Sequence, residues 1–209
     1  MSPQGMVYPT APSHEGPGGK GRTVARVIAG MTMSLDGFVE DANGSAAALY
    51  PDLGELRDAP YMKAMQDETG SVLMGRRSFE MAEDPDSYAD TYELQVPIFV
   101  VTHTPPPVAP KRNERLFFTF VTDGVQVAVA QAVAAAGERA VTVVGGADLT
   151  RQLLAADLVD ELRVDVMPIL LGAGLRLFEG TRPLALEKLG VDEVGARTSL
   201  RFRVATAAR

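Results

Sequence analysis

The sequence predicts an α/β fold with a mixed, mostly parallel sheet and an antiparallel C-terminal edge. Three observations carry this. SVLM at 71–74, PIFVV at 97–101 and AVTVV at 140–144 are short, almost wholly apolar runs, the pattern of strands buried on both faces. Helix-like stretches alternate with strands through most of the chain, and that alternation feeds parallel strands. The chain then ends in strand-like stretches alone, LALEKLGVDEV at 184–194 and RTSLRFRVAT at 197–206, which read as an antiparallel pair.

Taken in order, residues 1–22 (MSPQGMVYPTAPSHEGPGGKGR) hold no periodic apolar pattern and are expected to form a disordered tail, leaving one domain over 23–209. GGKGR in that tail is not a phosphate loop, because a Walker motif requires glycine at position 14 and Ser or Thr after Lys20. TVARVIAGMTMSLDGFVED at 23–41 is a β-rich run closed by the turn signal Asp41-Ala42-Asn43-Gly44. DAPYMKAMQDE at 58–68 reads as a helix with Pro60 tolerated in its first turn. RRSFEMAED, after SVLM and Gly75, is helical, and LFFTFVT at 116–122 is a further strand. GVQVAVAQAVAAAG is an Ala-rich helix stopped by Gly137. DLTRQLLAADL follows AVTVV as a helix, and DELRVDVMPILL at 160–171 is the next strand.

Composition narrows the function. Hydrophobic residues make up 46% of the 209 and charged residues 22%, a globular balance. No apolar run approaches the roughly 18 residues a bilayer span needs, and residues before Arg22 lack the apolar stretch of a secretory signal, so a cytoplasmic protein is expected. There is no cysteine, and His14 and His103 are the only histidines, which excludes thiolate nucleophiles and leaves no metal site to expect. The formal charge of −7 argues against nucleic acid as a partner. A small molecule is the expected ligand.

In open α/β sheets ligands bind outside the carboxyl ends of the strands. Three such ends carry suitable chemistry. Gly145 and Gly146, after AVTVV, either permit a tight bend or let a diphosphate approach the backbone at a helix start; Asp148 would compete by capping that helix itself. Gly75-Arg76-Arg77-Ser78 offers guanidinium groups that match phosphate oxygens, or else a solvated face. Thr102 and His103, after PIFVV, would meet a further phosphate or simply form a surface loop. Their coincidence at corresponding strand ends points to a nucleotide with several phosphates.

With MTMSLDGFVED, VLMGRRSFEMA, PIFVVTHTP, VTVVGGADLTRQLL and DELRVDVMPILLGAGLRLFEG in this order, the sequence resembles the dihydrofolate reductase fold. It is closest to the reductase domain at the C-terminus of the riboflavin-biosynthesis deaminase-reductase and its stand-alone bacterial relatives. The resemblance spans residues 24–205. It implies a three-layer α/β/α domain, a homodimer, and an NADPH-dependent reductase delivering hydride to a pterin-, pyrimidine- or flavin-precursor-like acceptor; an NADP(H)-binding module without turnover is the alternative. By this likeness Thr32 lies by the nicotinamide carboxamide, with Val39 or Phe38 near the ring. Gly75, Arg76, Arg77 and Ser78 hold phosphates. Thr102 and His103 sit by the adenosine 2′-phosphate. Gly145, Gly146, Ala147, Asp148 and Leu149 embrace the pyrophosphate through their backbone. Pro168 to Leu171 and on to Leu175 rim the substrate pocket, or form a plain turn. Asp36 in SLDG is either the acid near the cofactor, its pKa raised by burial, or a turn carboxylate bonded to its own backbone. Dihydrofolate reductases carry a substrate carboxylate on the first helix. Asp52 in YPDLGEL resembles that motif but lies too far upstream, so folate reduction is expected to be weak or absent.

Overall fold

The computed structural model describes residues 25–82 and 84–205, so the expected tail, with His14, lies outside the described residues. β1 (Val27–Ser34) starts the sheet and β2 (Phe38–Glu40) follows after the SLDG turn. α1 (Leu53–Arg57) and α2 (Pro60–Glu68) lead to β3 (Thr69–Gly75), and Pro60 takes the start of α2, where its fixed φ suits a helix and its missing N–H loses no bond. α3 (Arg76–Glu80), α4 (Tyr88–Thr91), β4 (Ile98–Val101) and β5 (Phe118–Val121) form the next stretch. α5 (Val125–Ala136), β6 (Ala140–Val144), α6 (Ala147–Ala155), β7 (Glu161–Met167) and β8 (Leu175–Arg176) come next. The hairpin β9 (Leu186–Val194) and β10 (Arg197–Val204) closes the fold.

Eight strands form one sheet in the order β5-β4-β3-β6-β1-β7-β10-β9. Every pairing from β5 across to β7 is parallel, while β10 runs antiparallel to both β7 and β9. The mostly parallel sheet with an antiparallel edge is therefore present, and its helices cover both faces. On one face Val27 and Ala29 of β1 and Leu73 of β3 pack with Ala128, Ala132 and Ala136 of α5 and Leu149 and Leu153 of α6. The buried alanines recur at i and i+4, a flat stripe that lets α5 lie close to the sheet. So close, in fact, that a Cβ at Gly70 would stand 2.4 Å from the Ala136 carbonyl oxygen. On the other face Phe79 and Tyr88 meet Phe118 edge to face, with ring centroids 5.4 Å apart in both pairs.

Two expectations need correction. The helix after Gly75 stops at Glu80, well short of residue 84. The strand expected over 160–171 ends at Met167, because Gly172 (φ 73°) and Gly174 (φ 137°) turn the chain back toward β2. There β8, unforeseen in the sequence, pairs antiparallel with β2 as a separate two-stranded sheet. A Cβ at Gly174 would lie 1.9 Å from the Glu40 carbonyl oxygen, so this approach requires glycine.

Candidate functional site

The strand order sets the carboxyl ends of β4, β3, β6 and β1 side by side. β6 inserts between β3 and β1, which precede it in the chain, so the diglycine turn sits in the middle of this row. Gly145 (φ 71°) and Gly146 (φ 84°) both adopt the left-handed region. A Cβ at Gly145 would stand 2.7 Å from Ser78 Oγ, so the turn after β6 rests on the start of α3. Gly146 is the N-cap of α6, and no side chain caps that helix among the described residues. Asp148 does not compete: its exposed carboxylate accepts from Gln152 Nε2 at 2.9 Å and pairs loosely with Arg151. The first N–H groups of α6, at Ala147, Asp148 and Leu149, thus face a glycine surface with the positive end of the helix behind them.

Beside this turn, Arg76 and Arg77 are well exposed. Arg76 pairs with Glu80 at 3.3 Å, and Arg77 with Glu40 at 3.0 Å, tying α3 to β2. Exposed pairs of this kind are weak, so a phosphate can take either guanidinium from its carboxylate. At the end of β4, the Thr102 hydroxyl is buried and committed: it donates to the Thr104 carbonyl at 2.9 Å and accepts from the Thr104 N–H. His103 is exposed beside it. Of the two, only His103 offers a side chain to a ligand.

Asp36 has a different setting from the one expected of an acid. Its carboxylate accepts from Ser34 Oγ at 2.6 Å, from the Leu171 N–H at 3.1 Å and from the Gly172 N–H at 2.7 Å. These donors favour the charged form, and the hydrogen bond from Ser34 above all holds the carboxyl at about 2, below its ordinary 3.8. The hydrogen bonds outweigh the upward pull of burial, which corrects the premise of a raised pKa for Asp36 as proton donor. Asp36 instead clasps the SLDG turn to the loop after β7. The Leu35 N–H donates to the Ile169 carbonyl, and Arg176 Nη1 donates to the Asp36 carbonyl while its guanidinium lies 4.3 Å from the Phe38 ring centroid. Phe38 and Val39 are both buried, Val39 within the main core, so neither presents an open surface; Pro168 is exposed and Leu171 half-buried on the clasped loop.

Beneath Thr32 lies a polar cluster. Thr32 pairs in register with Asp165 of β7, and Asp165 with Ser199 of β10, so three polar residues form one row across the sheet. Arg197, its side chain fully buried, donates from Nη2 to Asp52 at the N-cap of α1, with Nη1 3.8 Å from Asp165 Oδ2. The Tyr61 hydroxyl of α2 reaches Asp165 at 3.3 Å, and burial pushes that phenol up to about 12. Burial also raises Tyr50, whose ring lies 5.9 Å from the Arg197 guanidinium. Arg197 Nε and Nη1 and Ser199 Oγ have no hydrogen-bond partner among the described residues.

Residues 25–200 match the RibD C-terminal domain. The chain belongs to that family. It is 26% identical to the uncharacterized protein YyaP of Bacillus subtilis, over 83% of this chain and 88% of that protein. Among solved structures it resembles a putative riboflavin biosynthesis protein from Shewanella sp. PV-4, with TM-score 0.68 and 23% identity over 87% of this chain and 99% of that one. It also resembles a dihydrofolate reductase from Enterococcus faecalis complexed with NADP(H), with TM-score 0.56 and 14% identity over 87% of this chain and 97% of that one. The dihydrofolate reductase-like fold is thereby established.

In this RibD-type domain the expected residues divide into groups. Gly75, Ser78, Gly145, Gly146 and Leu149 come together at adjoining strand ends, with Arg76 and Arg77 at their rim. Thr32 lies on β1, facing the polar cluster that the sequence reading missed. Its signal was present as period-2 polarity: Glu161, Arg163 and Asp165 alternate along β7, and Arg197, Ser199, Arg201 and Arg203 along β10. Asp52, set aside because of its distance upstream, is brought in by the turn before α1.

Proposed function

We propose that this RibD-type domain is an NADPH-dependent reductase passing hydride to a small heterocyclic acceptor of the pterin, pyrimidine or flavin-precursor kind. The observation that carries it is the uncapped start of α6 behind two left-handed glycines, with Ser78 packed on the turn and two exposed arginines at its edge. That arrangement fits a dinucleotide: backbone N–H groups of residues 147–149 hold the pyrophosphate, and Arg76, Arg77 and His103 supply the charge and donors for further phosphates. When bound, the cofactor supplies the hydride. The protein holds the reactants together and in register, with Thr32 orienting the carboxamide and the clasped 34–38 and 168–172 loops walling the acceptor space.

With Asp36 kept ionised, a proton for the acceptor comes from water and not from this carboxylate. The same fact favours a second reading, an NADP(H)-binding module without turnover. Stopped-flow loss of NADPH absorbance across quinoid, pteridine and aminopyrimidine acceptors decides between them. Oxidation with at least one acceptor is expected; tight NADPH binding with no acceptor ever reduced contradicts the reductase and leaves the module. The proposal includes a homodimer, for which the exposed Leu186, Leu189 and Val191 on edge strand β9 offer an apolar surface, and a cytoplasmic location. No helix among the described residues is long and apolar enough to cross a membrane.

A further inference from the structure

We propose that Glu40 is an intramolecular competitor for the cofactor phosphates: its carboxylate holds Arg77 in the free protein, and a phosphate reaches that guanidinium only by displacing it. The inference rests on the NADPH reading of the glycine-and-arginine turn and adds to it an opposing contact supplied by the chain itself.

The two arginines at the rim are held in different ways. Arg76 pairs with Glu80 at 3.3 Å across one turn of α3, and the two side chains are 57% and 51% exposed. Both can swing into water, so that pair is an ordinary helical surface contact. Arg77 Nη2 instead donates to Glu40 Oε2 at 3.0 Å, across 37 residues of chain. Its side chain is 70% exposed and that of Glu40 only 22%, so the carboxylate is the fixed member and the guanidinium the mobile one.

The backbone explains why Glu40 stays in place. It ends β2 in register with Leu175 of β8, and a Cβ at Gly174 would stand 1.9 Å from its carbonyl oxygen. At the start of β2 the Phe38 N–H donates to Ser34 Oγ at 2.9 Å. Arg176, the other cation of this small sheet, is engaged by the Asp36 carbonyl and the Phe38 ring. Arg77 is therefore the cation that Glu40 meets among the described residues.

A carboxylate and a phosphate offer a guanidinium similar acceptor oxygens, so they compete for one fork of donors. Once displaced, the Glu40 carboxylate stands as a like charge beside the incoming phosphate. Both effects lower the affinity that the cradle would have alone. The lost pair, exposed on one side, contributes at most about fivefold to an equilibrium constant. The site thereby stays exchangeable, because Glu40 recaptures Arg77 as the phosphate leaves.

Fluorescence titration of NADPH tests this on the full chain, comparing wild type with Glu40→Gln, Glu80→Gln, Arg77→Ala, and Arg77→Ala combined with Glu40→Gln. Gln keeps the size and polar end of Glu, and circular dichroism verifies that each variant is folded. Glu40→Gln is expected to bind NADPH about three- to fivefold more tightly than wild type, and Glu80→Gln less than about twofold more tightly. Glu40→Gln should change nothing once Arg77 is replaced. The gain should shrink between about 0.01 M and about 1 M salt, where the screening length falls from about 30 Å to about 3 Å. If loss of Arg77 removes measurable binding, the comparison with Glu80→Gln and the salt series decide. Unchanged or weaker binding by Glu40→Gln, an equal gain from Glu80→Gln, a gain that persists without Arg77, or one indifferent to salt overturns the inference. With saturable binding by wild type, any of these results spares the cofactor reading. No binding by wild type or any variant sinks that reading and the competitor with it; binding by Glu40→Gln alone supports both.

Discussion

Gly145 answers to two constraints at once, a left-handed φ of 71° and the Ser78 hydroxyl 2.7 Å from where a Cβ would stand. Gly145→Ala is therefore expected to lose about 1–2 kcal/mol of stability from backbone conformation alone, and to weaken NADPH binding at least tenfold by moving the turn. Urea unfolding and a fluorescence titration read the two effects separately. Asp36 gives a prediction in pH. Its folded pKa of about 2 lies below the ordinary 3.8, so its contribution to stability is present above pH 3.8 and is lost as pH falls through 2. Asp36→Asn has no such group. The gap in urea midpoint between wild type and variant should hold steady from pH 7 to pH 5 and close between pH 4 and pH 2. A gap that widens on acidification would mean the carboxylate is not held by Ser34 and the 171–172 amides. Arg197 is a third case: Arg197→Met leaves Asp52 and Asp165 without their cation, and removing one partner of a buried pair costs about 3–5 kcal/mol. Calorimetric melting of the variant would show it.

At the scale of elements, the strands and helices with the plainest apolar pattern were legible in the sequence. AVTVV is β6 at the expected bounds, and the Ala-rich helix ends at Gly137 (φ 65°), where left-handed backbone stops it. The elements that escaped notice depend on contacts far apart in the chain. β8 is two residues long and exists because glycines at 172 and 174 return the chain to β2, which no local periodicity announces. α3 is cut short at Glu80 although RRSFEMAED keeps helical residues for longer. The contact of α5 with β3 was likewise invisible, and it carries a prediction. Gly70→Ala would drive a methyl into the Ala136 backbone, an overpacking that costs about 1–3 kcal/mol. A denaturant midpoint equal to wild type would mean that α5 sits farther from the sheet than described.

Over the whole molecule, the glycine-and-arginine turn proposed for phosphates and a buried ionic cluster are set apart. The uncapped helix and exposed arginines lie over β3 and β6, and the Asp52–Arg197–Asp165 cluster lies over β7 and β10, with β1 and Thr32 between them. The first half of that layout was legible because glycine pairs and arginine pairs at strand ends are local signals. The second was not, since Asp52, Asp165 and Arg197 are separated by more than a hundred residues from end to end and meet only through the sheet order. Asp36 read from the sequence either as an acid or as a turn carboxylate bonded to its own backbone, and only the partners across the 171–172 turn reveal a clasp. The central claim is the placement of the cofactor phosphates, and a fluorescence titration of NADPH against wild type and the Arg76→Ala, Arg77→Ala double variant tests it most directly. Saturable binding by wild type, weakened at least tenfold in the folded double variant, is the predicted result; equal affinity in the two proteins, or no saturable binding by wild type, would contradict it.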